Sequence, residues 1–130
     1  DQSMISNNPH KRQMNKFIWP LSTSVAKWQQ YTIRLGLKAK KDRDVIGSAS
    51  VDFLMYSGYI VMAYFWAQMA QAAYEKLATD VENRDFYRAK IKTAEFYFER
   101  LLPRTKSLAV TMMADPKTLM QLDEELLSFL

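Results

Sequence analysis

The sequence predicts an all-α fold, an antiparallel bundle of three long helices plus a short C-terminal helix, four-helix-bundle-like in type. Three observations predict it. Only three Gly and four Pro punctuate 130 residues of which 48% are hydrophobic, so long uninterrupted elements are expected rather than many short strands. The window from Phe53 to Tyr74 holds 22 residues without a charge, between Asp52 and Glu75. Through it, Ala49, Phe53, Tyr56, Ile60, Ala63, Ala67, Ala70, Tyr74 and Leu77 recur in steps of four and three, the spacing of one helix face.

The segment before Lys16 contains Asn7-Asn8-Pro9-His10 and shows no periodicity; residues 1–15 are expected to be a flexible lead or linker, with residues 16–130 forming one helical bundle domain. A first helix is expected from Ile18, its stripe made of Leu21, Val25, Trp28, Thr32, Leu35 and Ala39. Pro20 suits the first turn of that helix, and a helix running through it with a kink is the alternative. Lys38, Lys40 and Lys41 favour the C-terminal end of the helix dipole.

A second helix is expected over about 48–78, capped by Ser48 or Ser50, with Asp44 as an earlier start. Besides its main stripe it carries Leu54, Gly58, Val61, Phe65 and Ala72 on another face, so it is expected to be central in the domain. Polar residues 79–83 break the pattern. A third helix follows Asn83 or Asp85, its stripe running Tyr87, Ile91, Ala94, Phe98, Leu101, Thr105, Leu108 and Met112. Pro103 lacks an N–H and crowds the carbonyl four residues back, so a bend is expected there. Pro116 opens a last helix from Lys117 to about Leu127.

The charge-free window is long enough for a membrane span. However, Ser57, Gln68, Gln71 and the polar tips of Tyr56, Tyr59, Tyr64, Trp66 and Tyr74 are spread through it instead of forming two interfacial belts. No membrane span is therefore expected. The net charge of +4 arises in residues 1–44, where nine Lys/Arg meet three acids, whereas residues 45–130 hold nine against eleven. The cluster at Lys38, Lys40, Lys41 and Arg43 lacks interleaved aromatics that would stack on bases, so no nucleic-acid partner is expected.

Chemistry finds little material. Cysteine is absent, and the single histidine, His10, lies in the polar lead, which leaves nothing from which to build a triad, a thiolate site or a di-iron site. The three glycines are isolated and form no phosphate-binding loop. No catalytic, cofactor-binding or metal-ligating residue is expected in this segment. Structural or interface roles are expected for six residues. Asp52, at the edge of the window, is expected to cap or to pair with Arg100 or Arg104, and Gly58 is expected to mark the close approach of a neighbouring helix or ring. Trp66 and Phe98 belong to an aromatic group, with Phe53, Tyr56, Tyr59, Tyr64, Phe65, Phe96 and Tyr97, better suited to core and interface packing than to a pocket. Pro103 is the sixth. Glu95 and Glu99, one turn apart, read as a solvated face beside Lys92 and Arg100.

Three blocks extend this reading. Ala49-Ser50-Val51-Asp52-Phe53-Leu54, then Tyr64-Phe65-Trp66-Ala67-Gln68-Met69-Ala70 with Ala72-Ala73, then Phe86-Tyr87-Arg88-Ala89-Lys90 with residues 93–103 ending in Phe96-Tyr97-Phe98-Glu99-Arg100-Leu101-Leu102-Pro103 stand in order along the chain. Together they resemble the C-terminal extension of a bacterial acyl-CoA dehydrogenase subfamily that includes the methylthiopropanoyl-CoA dehydrogenases. The resemblance spans about residues 18–127. It implies a helical accessory domain of an FAD-dependent enzyme that dehydrogenates acyl-CoA thioesters at the α,β position. The FAD site and catalytic carboxylate then belong to upstream dehydrogenase domains of the same chain, and no catalytic residue is carried onto this segment. It further implies packing, acyl-pocket shaping or oligomerisation as the domain's task and a homo-oligomeric parent, while the absence of cysteine makes a cytoplasmic home the default expectation. The sequence begins without Met, in keeping with a piece of a longer chain. The alternative from another class is a free-standing helical adaptor that pairs with a partner through its aromatic surface.

Overall fold

The computed structural model describes residues 11–120 and 124–129. Helix α1 spans Lys11–Lys41, α2 spans Asp44–Leu77 and α3 spans Arg84–Phe96. A π-helical turn, Tyr97–Leu101, and a 3-10 turn, Leu102–Arg104, then lead into α4, Thr105–Met112. Two short helices follow, α5 at Lys117–Met120 and α6 at Glu124–Leu127, and residues 121–123 of the expected last helix lie outside the described residues. Every described element is helical, as the all-α prediction requires.

The first helix starts earlier than expected. It runs straight through Pro20 from Lys11, and Met14 and Phe17 are fully buried in the core. Residues 11–15 are therefore part of the bundle, not of a lead; the rest of the expected lead, 1–10, lies outside the described residues. Two buried apolar side chains one turn apart outweigh the single backbone hydrogen bond that Pro20 removes.

Helix α2 also begins four residues before the favoured start, at the earlier option, Asp44. Asp42 Oδ1 accepts the Asp44 N–H at 3.0 Å, so an acid before the helix satisfies the first turn, and Ser48 and Ser50 sit inside the helix, bonded back to the carbonyls of Val45 and Gly47. At the other end Arg84 closes the helix. Its guanidinium donates to the carbonyls of Leu77 and Thr79, both at 3.1 Å, satisfying acceptors the helix leaves open. Asn83, at φ 59°, makes the left-handed step that turns the chain into α3, a conformation Asn tolerates better than other side-chain-bearing residues.

All the other long elements lie on α2. The Trp28 indole donates to Ser57 Oγ at 2.9 Å, Tyr31 meets Tyr56 edge-on, and the Lys16 ammonium lies 5.9 Å from the Tyr74 ring, so α1 runs antiparallel to α2. Helix α3 runs antiparallel on another side of α2 and is joined to it by the short 78–83 connection. Ala63, Ala67, Ala70 and Ala94 are buried completely, and these small side chains let the axes approach closely.

The π turn resolves the expectation for Pro103. Proline has no N–H to give the carbonyl four residues back, so the ladder widens. The Leu102 N–H bonds to the carbonyl of Tyr97, and a tight turn restores the α-helix at Thr105. The widened turn shifts the register of the stripe. Tyr97, Leu102 and Ala109 are the buried positions, in place of the expected Phe98, Leu101 and Leu108, which are half-buried; Thr105 and Met112 are buried as expected.

Two further expectations fail. A Cβ built on Gly58 meets nothing within 4 Å, so no neighbouring helix or ring of the described residues approaches it. Asp52 makes no ion pair or hydrogen bond with Arg100 or Arg104 among the described residues; it is half-buried, and Arg100 points to solvent. Gly58 lies on a side of α2 that no described element covers, and Arg100 is exposed on the π turn.

Candidate functional site

Helix α2 is apolar over much of its circumference, yet the described elements leave one face of it uncovered. Val45, Ala49, Tyr56, Ile60, Ala63, Ala67, Ala70 and Ala73 form its buried face. Opposite them Val51, Leu54, Met55, Val61, Met62 and Phe65 stand in solvent around Gly58, with Leu54 72% and Phe65 51% exposed. A surface helix ordinarily turns polar residues outward. Here the outward stripe has no charge from Phe53 to Tyr74, an exposed apolar patch of the kind found at interaction sites. The expectation of a central helix holds for the inner half and fails for the outer half within this domain. By length and composition α2 is also the one described helix apolar enough to cross a membrane.

The second feature is a groove. Helix α1 and the α3–α4 arm both pack on α2, and two sets of side-chain contacts join them to each other. At one end Lys16 pairs with Glu95 and Phe17 meets Phe98 edge-on, ring centroids 5.2 Å apart. At the other, Lys38 Nζ reaches the carbonyl of Met113 at 3.4 Å. Between these closures lies a groove of about 640 Å³ floored by Tyr31, Tyr56, Phe98 and Leu102 and lined also by Lys27, Arg34 and Lys106. The floor rings of Tyr31 and Tyr56 meet at 84° with centroids 5.7 Å apart. Burial, and then the neighbouring Tyr31, push the Tyr56 hydroxyl above its ordinary value, so it is a neutral donor at physiological pH.

The Lys16–Glu95 closure is an electrostatic unit. The hydrogen bond from Lys16, backed by one from Lys92 at 3.3 Å, outweighs desolvation and holds the Glu95 carboxyl below the usual range. For Lys16, desolvation pulls the other way, but the bonds to Glu95 and Tyr74 leave the ammonium above its usual value.

Of the six residues singled out in the sequence, Phe98 and Pro103 line the groove, Gly58 centres the outer face, and Trp66 is half-buried against the core. Asp52 and Arg100 belong to neither feature. The aromatic group divides likewise: Tyr56 and Phe98 line a cavity, Phe65 is exposed on the outer face, and Tyr97 is buried with its hydroxyl on the Tyr59 carbonyl. Lys27, Arg34 and Lys106 went unmarked in the sequence. The only hint was the spacing of Lys27, Tyr31 and Arg34 on one side of α1, which means nothing until the other wall is in place. Among the described residues no group of three or more His, Asp or Glu forms a metal site.

No curated protein and no solved structure matches the chain. A family model described as acetyl-CoA dehydrogenase C-terminal like matches residues 2–123. That span takes in all three long helices and the beginning of the last segment. The chain belongs to the acetyl-CoA dehydrogenase C-terminal-like family.

Proposed function

We propose that this chain is the C-terminal accessory domain of an FAD-dependent acyl-CoA dehydrogenase, seated on the upstream dehydrogenase domains of the same chain through the outer face of α2. The parent enzyme, in this reading, removes hydrogens at the α,β position of an acyl-CoA thioester in the cytoplasm and works as a homo-oligomer, and every reacting group lies upstream. The observation that carries the proposal is the exposed apolar stripe around Gly58, within a 22-residue charge-free window of α2, in a domain of the acetyl-CoA dehydrogenase C-terminal-like family. Covering that stripe removes apolar side chains from water at about 25 cal/mol per Å², a gain that a free-standing domain forgoes. On this account α2 is a packing and docking helix and not a membrane span.

Amide exchange tests the assignment. In the full-length enzyme, amides of 51–65 should exchange more slowly than in the 130-residue chain, and Val61→Glu with Phe65→Glu should abolish the difference. The isolated chain should be colourless and inactive toward acyl-CoA. Equal exchange in the two contexts, or flavin bound to the isolated chain, contradicts the proposal.

A further inference from the structure

The groove between α1 and the α3–α4 arm has features that bundle packing does not require. Lys27, Arg34 and Lys106 all line it, no acidic side chain does, and none of the three has a hydrogen-bond or ion-pair partner among the described residues. Between these cations the floor is apolar and aromatic. Tyr56 is 2% exposed, yet its hydroxyl makes no hydrogen bond among the described residues. Because Tyr56 lines the open groove, its hydroxyl is available to donate to an oxygen placed there, of water or of a ligand. The volume, about 640 Å³, lies within the range of small-molecule sites.

We propose that this groove binds an amphiphilic anion, whose carboxylate or phosphate head is held by Lys27, Arg34 and Lys106 and whose apolar tail lies on Tyr31, Tyr56 and Phe98. Each half of the site excludes a simpler ligand. A bare inorganic anion leaves the aromatic floor wet, and an uncharged apolar molecule leaves three cations without a counter-charge. Lys27 and Arg34 stand two helical turns apart, about 10 Å along α1, and Lys106 comes from the opposite wall, so the head is gripped across the slot. The Tyr56 O–H donates to an oxygen of the ligand. The site lies on the inner side of α2, away from the Gly58 stripe, and does not depend on where that stripe docks.

Calorimetric titration of the 130-residue chain with decanoate, decyl phosphate, decanol and inorganic phosphate tests it. At least one of the two amphiphilic anions should bind, with decanol and inorganic phosphate weaker by about tenfold or more, and the tighter anion identifies the head. Lys27→Gln with Arg34→Gln and Lys106→Gln should weaken that ligand by about tenfold or more, with the helical circular dichroism unchanged because all three side chains are exposed. Tyr56→Phe, which removes only an unpartnered hydroxyl, should weaken it about threefold. Val61→Glu with Phe65→Glu should leave it unchanged. The proposal is overturned if the triple variant binds like the parent chain, if decanol equals the anions, if the outer-face variant alone loses binding, or if neither anion binds at millimolar concentration.

Discussion

The Tyr97 hydroxyl donates a hydrogen bond of 2.6 Å to the main-chain carbonyl of Tyr59, tying the π turn to the middle of α2. Tyr97 follows Ile91 and Ala94 in steps of three on the buried face of α3, at the residue where the π turn begins. Tyr97→Phe keeps the ring and removes the bond, so it should lower stability by about 1 kcal/mol, read as a shift in the urea midpoint at unchanged slope. An unchanged midpoint would mean the bond contributes nothing beyond its ring.

Alkaline titration reads the same contact. Burial, with Tyr59 nearby, raises the Tyr97 hydroxyl from 10.0 to about 12. The folded form thus keeps a proton that the unfolded chain has lost. Stability from this group is complete below pH 10 and falls as pH rises toward about 12, where the loss levels off. The fall is on the order of 2 kcal/mol, and Tyr97→Phe should remove that part of the pH dependence. A parent and a variant with parallel alkaline profiles would refute this.

Acid should loosen the other end of the groove. Glu95 is held below its ordinary 4.5 chiefly by the Lys16 hydrogen bond, so its contribution is present above that pH and is lost as pH falls through the lower folded value. Lys16, raised above 10.5, contributes below that pH and loses its share as pH rises beyond it. Both groups are partly exposed, so Glu95→Gln should cost no more than about 1 kcal/mol at neutral pH and flatten the acid limb. A variant that retains the full acid limb would assign that limb to other carboxylates.

Gly58 has room for a side chain. Since a Cβ there meets nothing within 4 Å, Gly58→Ala should stabilise the 130-residue chain by about 0.5–1 kcal/mol through helix propensity alone. Thermal melting checks the sign. A lower melting temperature would show that something not visible in the static packing occupies the space.

Ala67 has none. It is completely buried where α2 meets its neighbours, and Ala67→Leu should destabilise by about 1–3 kcal/mol through overpacking. The contrast between positions 58 and 67, nine residues apart on one helix, separates the open face from the closed one. Comparable effects at both sites would contradict the one-sided burial of α2.

Periodicity alone determined that α2 is long, that Ala63, Ala67 and Ala70 face inward, and that the neighbouring helices pack on them, because a run of apolar residues at helical spacing has few other stable arrangements. Composition, with one histidine and no cysteine, offered little material for a triad or a thiolate site. The register around Pro103 depended on tertiary structure: Tyr97, Leu102 and Ala109 are buried in place of Phe98, Leu101 and Leu108 while Thr105 and Met112 keep their expected places, and no local propensity encodes where the widened turn falls. The burial of Met14 beyond Pro20, the bareness of the Gly58 stripe and the missing Asp52–Arg100 pair were likewise decided by which faces of α2 find a partner. The same holds for the groove. Lys27 and Lys106 lie 79 positions apart in the chain, and only two walls laid on one central helix bring them to a common cavity.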